Sequence, residues 1–275
     1  MLRRIPIIAL LCALAALTAW TQQAHIMSWK EYFRHSPHTW PHILDLATPK
    51  GHLFYFGSNH TMNPGDPQVA EIEKAWAVFH PDIAFNEGGD PPTEKTIEEA
   101  VIRHGESGLV RYLAARDNVP VHSIDPTLDV EVFELRKLFP TEQVKLFFVL
   151  RQITEYERVQ QATEDTLEEQ MQEILRHFSA VPGLEVGLTT IAELDASCRR
   201  NLPKLGSYKD ARPDWFDPVK TNTFLGKMGR RSSEIRDLYM INLLVAEVKQ
   251  GKRVFAVVGG THVVMQEPAL RSFLR

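Results

Sequence analysis

The chain has 275 residues, 44% hydrophobic and 24% charged, with 17 Pro and 15 Gly. This composition is globular and excludes collagen-like, low-complexity and disordered classes. A formal charge of −4 leaves no basic footprint for a phosphate backbone, so nucleic acid is not an expected partner. The length supplies a full core for one large α/β domain or two small ones.

Residues 1–24 stand apart from the fold. Arg3 and Arg4 precede an uncharged run from Ile5 to Trp20, the pattern of a secretory signal. The run is shorter than the roughly 20 apolar residues of a membrane-spanning helix. An exported chain, periplasmic or secreted, is expected, with this segment cleaved or kept as an N-terminal anchor. The anchor is the one expected route to a membrane. Cys12 follows the bulky Leu11, which argues against lipid attachment. Once the leader is removed, Cys198 has no cysteine to pair with and reads as a buried, inert thiol.

His35, His38 and His42, with Trp40, lie among Pro37 and Pro41 and read as an exposed irregular segment; a metal or haem contact is the competing reading. His52 to Phe56 is an aromatic-rich run ending at Gly57, expected to be the first core strand. Gln68 to His80 carries Val69, Ile72, Ala75, Trp76 and Phe79 at helical spacing and is closed by Pro81. Asp82 to Phe85 reads as a second strand, ended by Asn86-Glu87-Gly88-Gly89. Thr93 to Asp117 is helical in pattern, and Val119 to Ile124 is a third strand ending at Asp125-Pro126. This alternation predicts an α/β fold with a mostly parallel sheet flanked by helices.

The rhythm changes between about 129 and 231. Thr141 to Phe178 holds no Gly or Pro and reads as one long helix or a helical hairpin, followed by a turn-rich region through Pro218. Ser232 to Gln250 reads as an amphipathic helix and Arg253 to Val258 as a strand. The expectation is a single domain over 25–275, built from two related α/β halves around a helical insertion.

Both halves carry the same unit. Leu53 to Phe56 runs into Gly57-Ser58-Asn59-His60, and Val254 to Val258 runs into Gly259-Gly260-Thr261-His262. With these Gly and His counts, a Gly-x-x-His string arises by chance roughly 0.6 times, so the shared context carries the reading. Both motifs follow an apolar strand at its carboxyl end, where open α/β sheets build their sites. The glycines are expected to let the chain turn there. Glu87 and Asp125 end strands in the same manner. Two histidines with one or two carboxylates suit either a divalent metal, held by His60, Glu87 and His262, or metal-free proton transfer. His122 is a further candidate, and Ser58, Asn59 and Thr261 are expected to orient the histidines.

This layout resembles the TraB/GumN/Tiki superfamily, which groups with erythromycin-esterase and ChaN-like proteins. The resemblance spans Gly51 to Asp125 and Arg231 to Leu274 and rests on the motif ending at His60, on Glu87 and on the motif ending at His262. Arg236-Asp237 followed by Met240 is similar to an arginine-containing segment of that family, with Asp where Asn is usual, which leaves Asp237 unassigned. The resemblance implies a site across an internal duplication and hydrolysis in some members. Tiki proteins are described as metal-dependent proteases, erythromycin esterases use a His/Glu-activated water, and ChaN-like relatives bind haem.

The expected function is therefore an exported hydrolase, peptidase-like or esterase-like, acting on a small molecule or peptide. His60, Glu87 and His262 would activate water through a divalent ion of the Zn, Mn or Co type, which lowers the pKa of bound water. Arg236 would stabilise an oxyanion or hold a substrate carboxylate. The alternative is a non-enzymatic protein that binds haem or another ligand in the same crevice.

Overall fold

Five strands form one sheet in the order β1-β2-β5-β3-β4, with β1 His42–Ala47, β2 His52–Ser58, β3 Ile83–Asn86, β4 Val121–Ser123 and β5 Arg253–Gly259. The structure is a computed structural model and describes residues 25–160, 164–204 and 207–275. The leader reading for residues 1–24, Cys12 included, lies outside the described residues. No helix among them is long and apolar enough to cross a membrane.

The sheet is parallel except at its edge, where β1 runs antiparallel to β2. β2 and β5 are buried almost throughout, as strands covered on both faces must be. Alternate residues serve the two faces. Phe56, Phe255 and Val257 meet Ile72, Trp76, Leu109 and Leu113 of helices α2 (Pro67–Phe79) and α3 (Ile97–Asp117). Tyr55, Phe85 and Ala256 meet Leu244, Val263 and Leu270 of α8 (Phe224–Lys249) and α9 (Gly260–Phe273). Each fully buried large apolar side chain contributes roughly 1.5–3 kcal/mol, so both faces are held firmly against the sheet.

Between β4 and α8 the described residues form helices α4 (Leu128–Arg136), α5 (Thr141–Gln160), α6 (Glu164–Ser179) and α7 (Ile191–Asn201), then two short 3-10 turns. They share a separate apolar core. α8 joins the two cores: Leu225, Met228 and Ile235 belong to the insertion, while Met240, Ile241 and Leu244 belong to the sheet.

Several elements differ from the sequence expectation. β1 precedes the first expected strand; only Leu44 of its six residues is buried, so its apolar signal is weak. Helix α1 (Trp29–Arg34), started by a capping box of Ser28 and Glu31, precedes the segment expected to be irregular, whose last residue, His42, begins β1. α7 lies in the turn-rich region, started by the same device in Thr190 and Glu193. α8 begins at Phe224, capped by Thr223, eight residues before the expected start. Cys198 is buried in the insertion core, and burial pushes its thiol up to about 12.

Candidate active site

The expected site residues collect at the carboxyl edge of the parallel strands. His60 follows β2, Glu87 follows β3, Asp125 follows β4, and His262 lies in the first turn of α9, which begins directly after β5. The glycine expectation needs correction: Gly57 and Gly259 are strand residues, paired with Val258 and Ser58, and neither makes a turn. Gly259 is needed for space. A Cβ there would sit 2.8 Å from His60 Nε2 and 3.4 Å from Glu87 Oε2.

Glu87 is the centre of the cluster. Its Oε1 accepts from Arg236 Nη2 at 2.6 Å, its Oε2 accepts from the Gly259 N–H at 2.6 Å, and His262 Nε2 lies 3.6 Å from Oε1. Burial alone would push this carboxyl up. His262, Arg236 and the Gly259 N–H outweigh burial and hold Glu87 well below the usual carboxylate range. Arg236 also donates through Nε and Nη2 to Asp125 Oδ1 at 2.9 and 2.6 Å. It thus clamps two protein carboxylates while lining the cleft in which it was expected to meet substrate.

Each motif histidine has a carboxylate at Nδ1. His262 Nδ1 meets Asp237 Oδ1 at 2.6 Å, and the Asp237 side chain is 1% exposed. Gln266 Nε2 donates to the same oxygen at 2.7 Å, and Gln266 Oε1 accepts from the Tyr55 hydroxyl at 3.0 Å. Burial opposes a charge on His262, but Asp237 and Glu87 prevail and raise it to about 10. At neutral pH it is an imidazolium, with Nδ1–H donating to Asp237.

His60 is the accessible member, its side chain 67% exposed, with Nδ1 3.5 Å from Glu106 Oε2. The other Glu106 oxygen accepts from the Thr61 N–H at 2.7 Å. Glu106 raises the His60 pKa most, against partial burial, and Glu87 adds to the rise. Glu106 reaches this position because α3 breaks at Gly105, whose φ is +58°. A Cβ at Gly105 would also meet the Thr61 carbonyl at 2.9 Å. Gly105→Ala is expected to destabilise the protein by about 1–3 kcal/mol and to return the His60 titration toward its ordinary value. Chemical denaturation and histidine NMR check both effects.

Glu106 and Asp237 are the site residues that the sequence reading missed or left unassigned. A glycine inside a helical pattern was the available signal for Glu106. The groups expected to orient the histidines act elsewhere. Ser58 Oγ donates to the Val258 carbonyl at 3.1 Å, the Asn59 main chain is held by Gln68 from both sides, and Thr261 lines the cleft. His122 is exposed on β4, its ring 6.3 Å from that of Phe85, and does not line the cleft. Of the other histidines, His42 pairs with Glu267, His104 with Glu94 and His52 with Asp45, and His38 bonds to the Tyr32 carbonyl.

A cleft of about 390 Å³ opens over Glu87, His60 and His262 and is lined by Trp29, Trp40, Phe147 and Phe216. A second, of about 680 Å³, meets it at His60, Glu87 and Arg236 and is lined by His104, Glu106, Asp125 and Glu131. The expected metal ligands do not fit a divalent ion as arranged. Both Glu87 oxygens are taken by N–H donors, and a metal would sit beside the Arg236 charge. Among the described residues, no three His, Cys, Asp or Glu side chains are spaced to hold a metal ion.

No family model, curated protein or solved structure matches the chain.

Proposed function

We propose that the chain is a hydrolase of esters or amides, exported as its N-terminal sequence suggests, in which His60 activates water and protonated His262 acts as the acid. The observation that carries this reading is the pair of imidazoles at one sheet edge, each with Nδ1 facing a buried carboxylate, and with Glu87 beside Nε2 of His262.

His60 Nε2 accepts a proton from water as the water oxygen bonds to the substrate carbonyl carbon. The carbonyl oxygen gains the electron pair and is stabilised by the Nε2–H of His262. Collapse breaks the bond to the leaving group, which takes the Nε2 proton of His262, and the proton that His60 took from water passes through solvent to restore the His262 imidazolium. The sum is one water consumed and one acid and one alcohol or amine released. Glu87 stays ionised throughout, keeps His262 protonated and raises His60 toward the working pH. The positive charge near the oxyanion comes from this chain's own imidazolium.

Ester and peptide hydrolysis by the purified chain, with and without a chelator, tests the reading. Turnover is expected to survive chelation and to fall by about 10²–10⁴ in His60→Ala. The rate should rise with pH as His60 loses its proton, above the ordinary histidine value, and fall as His262 does near 10. Full activity in His60→Ala overturns the assignment, and loss on chelation with recovery on adding zinc restores the metal-dependent mechanism.

A further inference from the structure

The cleft over Glu87 has two kinds of lining. On the side shared with the second cleft stand the carboxylates of Glu106, Asp125 and Glu131. On the other side are three partly exposed aromatic rings drawn from distant parts of the chain, Trp29 and Trp40 from the N-terminal segment and Phe216 from a 3-10 turn, backed by the buried Phe147 of α5. A single exposed aromatic residue needs no explanation. Three converging beside a charged reaction centre do.

Glycines let one of these rings and the backbone of another approach the helices closely. Trp40 lies against Gly260, the first residue of α9, so closely that a Cβ there would come within 1.7 Å of its Cζ3 atom. Gly229 in α8 is in the same position relative to the Phe216 main chain, where a Cβ would come 2.2 Å from the carbonyl oxygen. Phe216 in turn packs edge-on against Phe147, ring centroids 5.7 Å apart. Trp40 nevertheless remains 42% exposed. A ring held in place but left uncovered next to reactive groups is a surface for a ligand.

We propose that this aromatic wall is the subsite for a planar aromatic group on the substrate, next to the ester or amide carbonyl that reacts over His60. The space of about 390 Å³ lies within the range of small-molecule sites and admits an arylacyl group or an aromatic amino-acid side chain. The insertion and the N-terminal segment select the substrate, whereas the sheet edge performs the reaction. The chemistry assigned to the substrate rests on the hydrolase reading; the recognition of the ring does not.

The experiment uses the full chain and the methyl esters of acetic, hexanoic and phenylacetic acids, following the acid released by titration at constant pH. kcat/KM for the phenylacetate ester is expected to exceed that for acetate and for hexanoate by about tenfold, after correction for hydroxide-catalysed rates. In Trp40→Ala, and in Gly260→Ala, where the ring is forced aside, the preference should shrink to about threefold or less, and Trp40→Phe should retain it. Equal rates for hexanoate and phenylacetate, or a preference untouched by both variants, overturn the proposal. If no ester or peptide is turned over, free phenylacetate replaces the esters. Quenching of tryptophan fluorescence by phenylacetate but not acetate, lost in Trp40→Ala, sustains the subsite while the hydrolase reading fails. Absence of that quenching overturns the subsite as well.

Discussion

Glu87→Gln is expected to lower unfolding stability by about 3 kcal/mol and kcat/KM at least about a hundredfold. The amide keeps the shape of the carboxylate but removes the charge that Arg236 and His262 face. Arg236 would retain only Asp125, and His262 only Asp237. Breaking one partner out of a largely buried ion cluster leaves uncompensated charge, which costs more than the pair itself contributes. The pH dependence gives a second readout. Glu87 is held below the usual carboxylate range in the folded chain, so its share of stability is present above the ordinary value of 4.5 and is lost as pH falls. The wild type should weaken through that acidic range more steeply than the variant. Equal denaturation midpoints at neutral pH would show that Glu87 does not hold the cluster together.

Asp237→Asn is expected to lower kcat/KM by about 10³–10⁴ at neutral pH, a loss of the size seen when a buried carboxylate that sets an imidazole's protonation is neutralised. Asp237 is the strongest influence favouring the charged form of His262. Without it, His262 should titrate near the ordinary histidine value and stand neutral when the acid is needed. The falling limb of the pH–rate profile should then move from near 10 toward neutrality, a shift that a merely structural residue would not produce. Stability follows the opposite sign from Glu87. The raised His262 pKa contributes fully below the ordinary histidine value, and the contribution is lost as pH rises toward about 10. Histidine proton NMR titrations of the wild type and the variant measure the shift directly.

The parallel core was legible because its strands are short apolar runs bounded by breakers. His52 to Phe56, Asp82 to Phe85 and Arg253 to Val258 each cover most of an observed strand, which runs one or two residues further, to Ser58, Asn86 and Gly259. β1 was not legible, since an edge strand with one buried side chain carries little pattern. α1 and α7 announce themselves by capping boxes rather than by periodicity, and weighing Ser28–Glu31 and Thr190–Glu193 would have found both. In the site, strand ends located His60, Glu87, Asp125 and His262 because sheet topology brings such positions together. The partners of the histidines lie on helices, where no local pattern separates Glu106 or Asp237 from other acidic residues. Glu106 is visible only through the backbone break before it. Arg236 was located correctly, but its task follows from distances to Glu87 and Asp125 that no linear spacing encodes.

α8 crosses from one apolar core into the other, with Ile235 the last residue in the insertion core and Met240 the first in the sheet core. Arg236 and Asp237 fall at this crossing, and successive helical residues project about 100° apart, so the two side chains reach different partners. One grips the ends of β3 and β4, and the other grips α9 through His262. The helix is therefore indexed in rotation at its midpoint like a shaft held by two keys. A small twist transmitted from the insertion would loosen both keys together, coupling the charge of Glu87 to that of His262 mechanically as well as electrostatically.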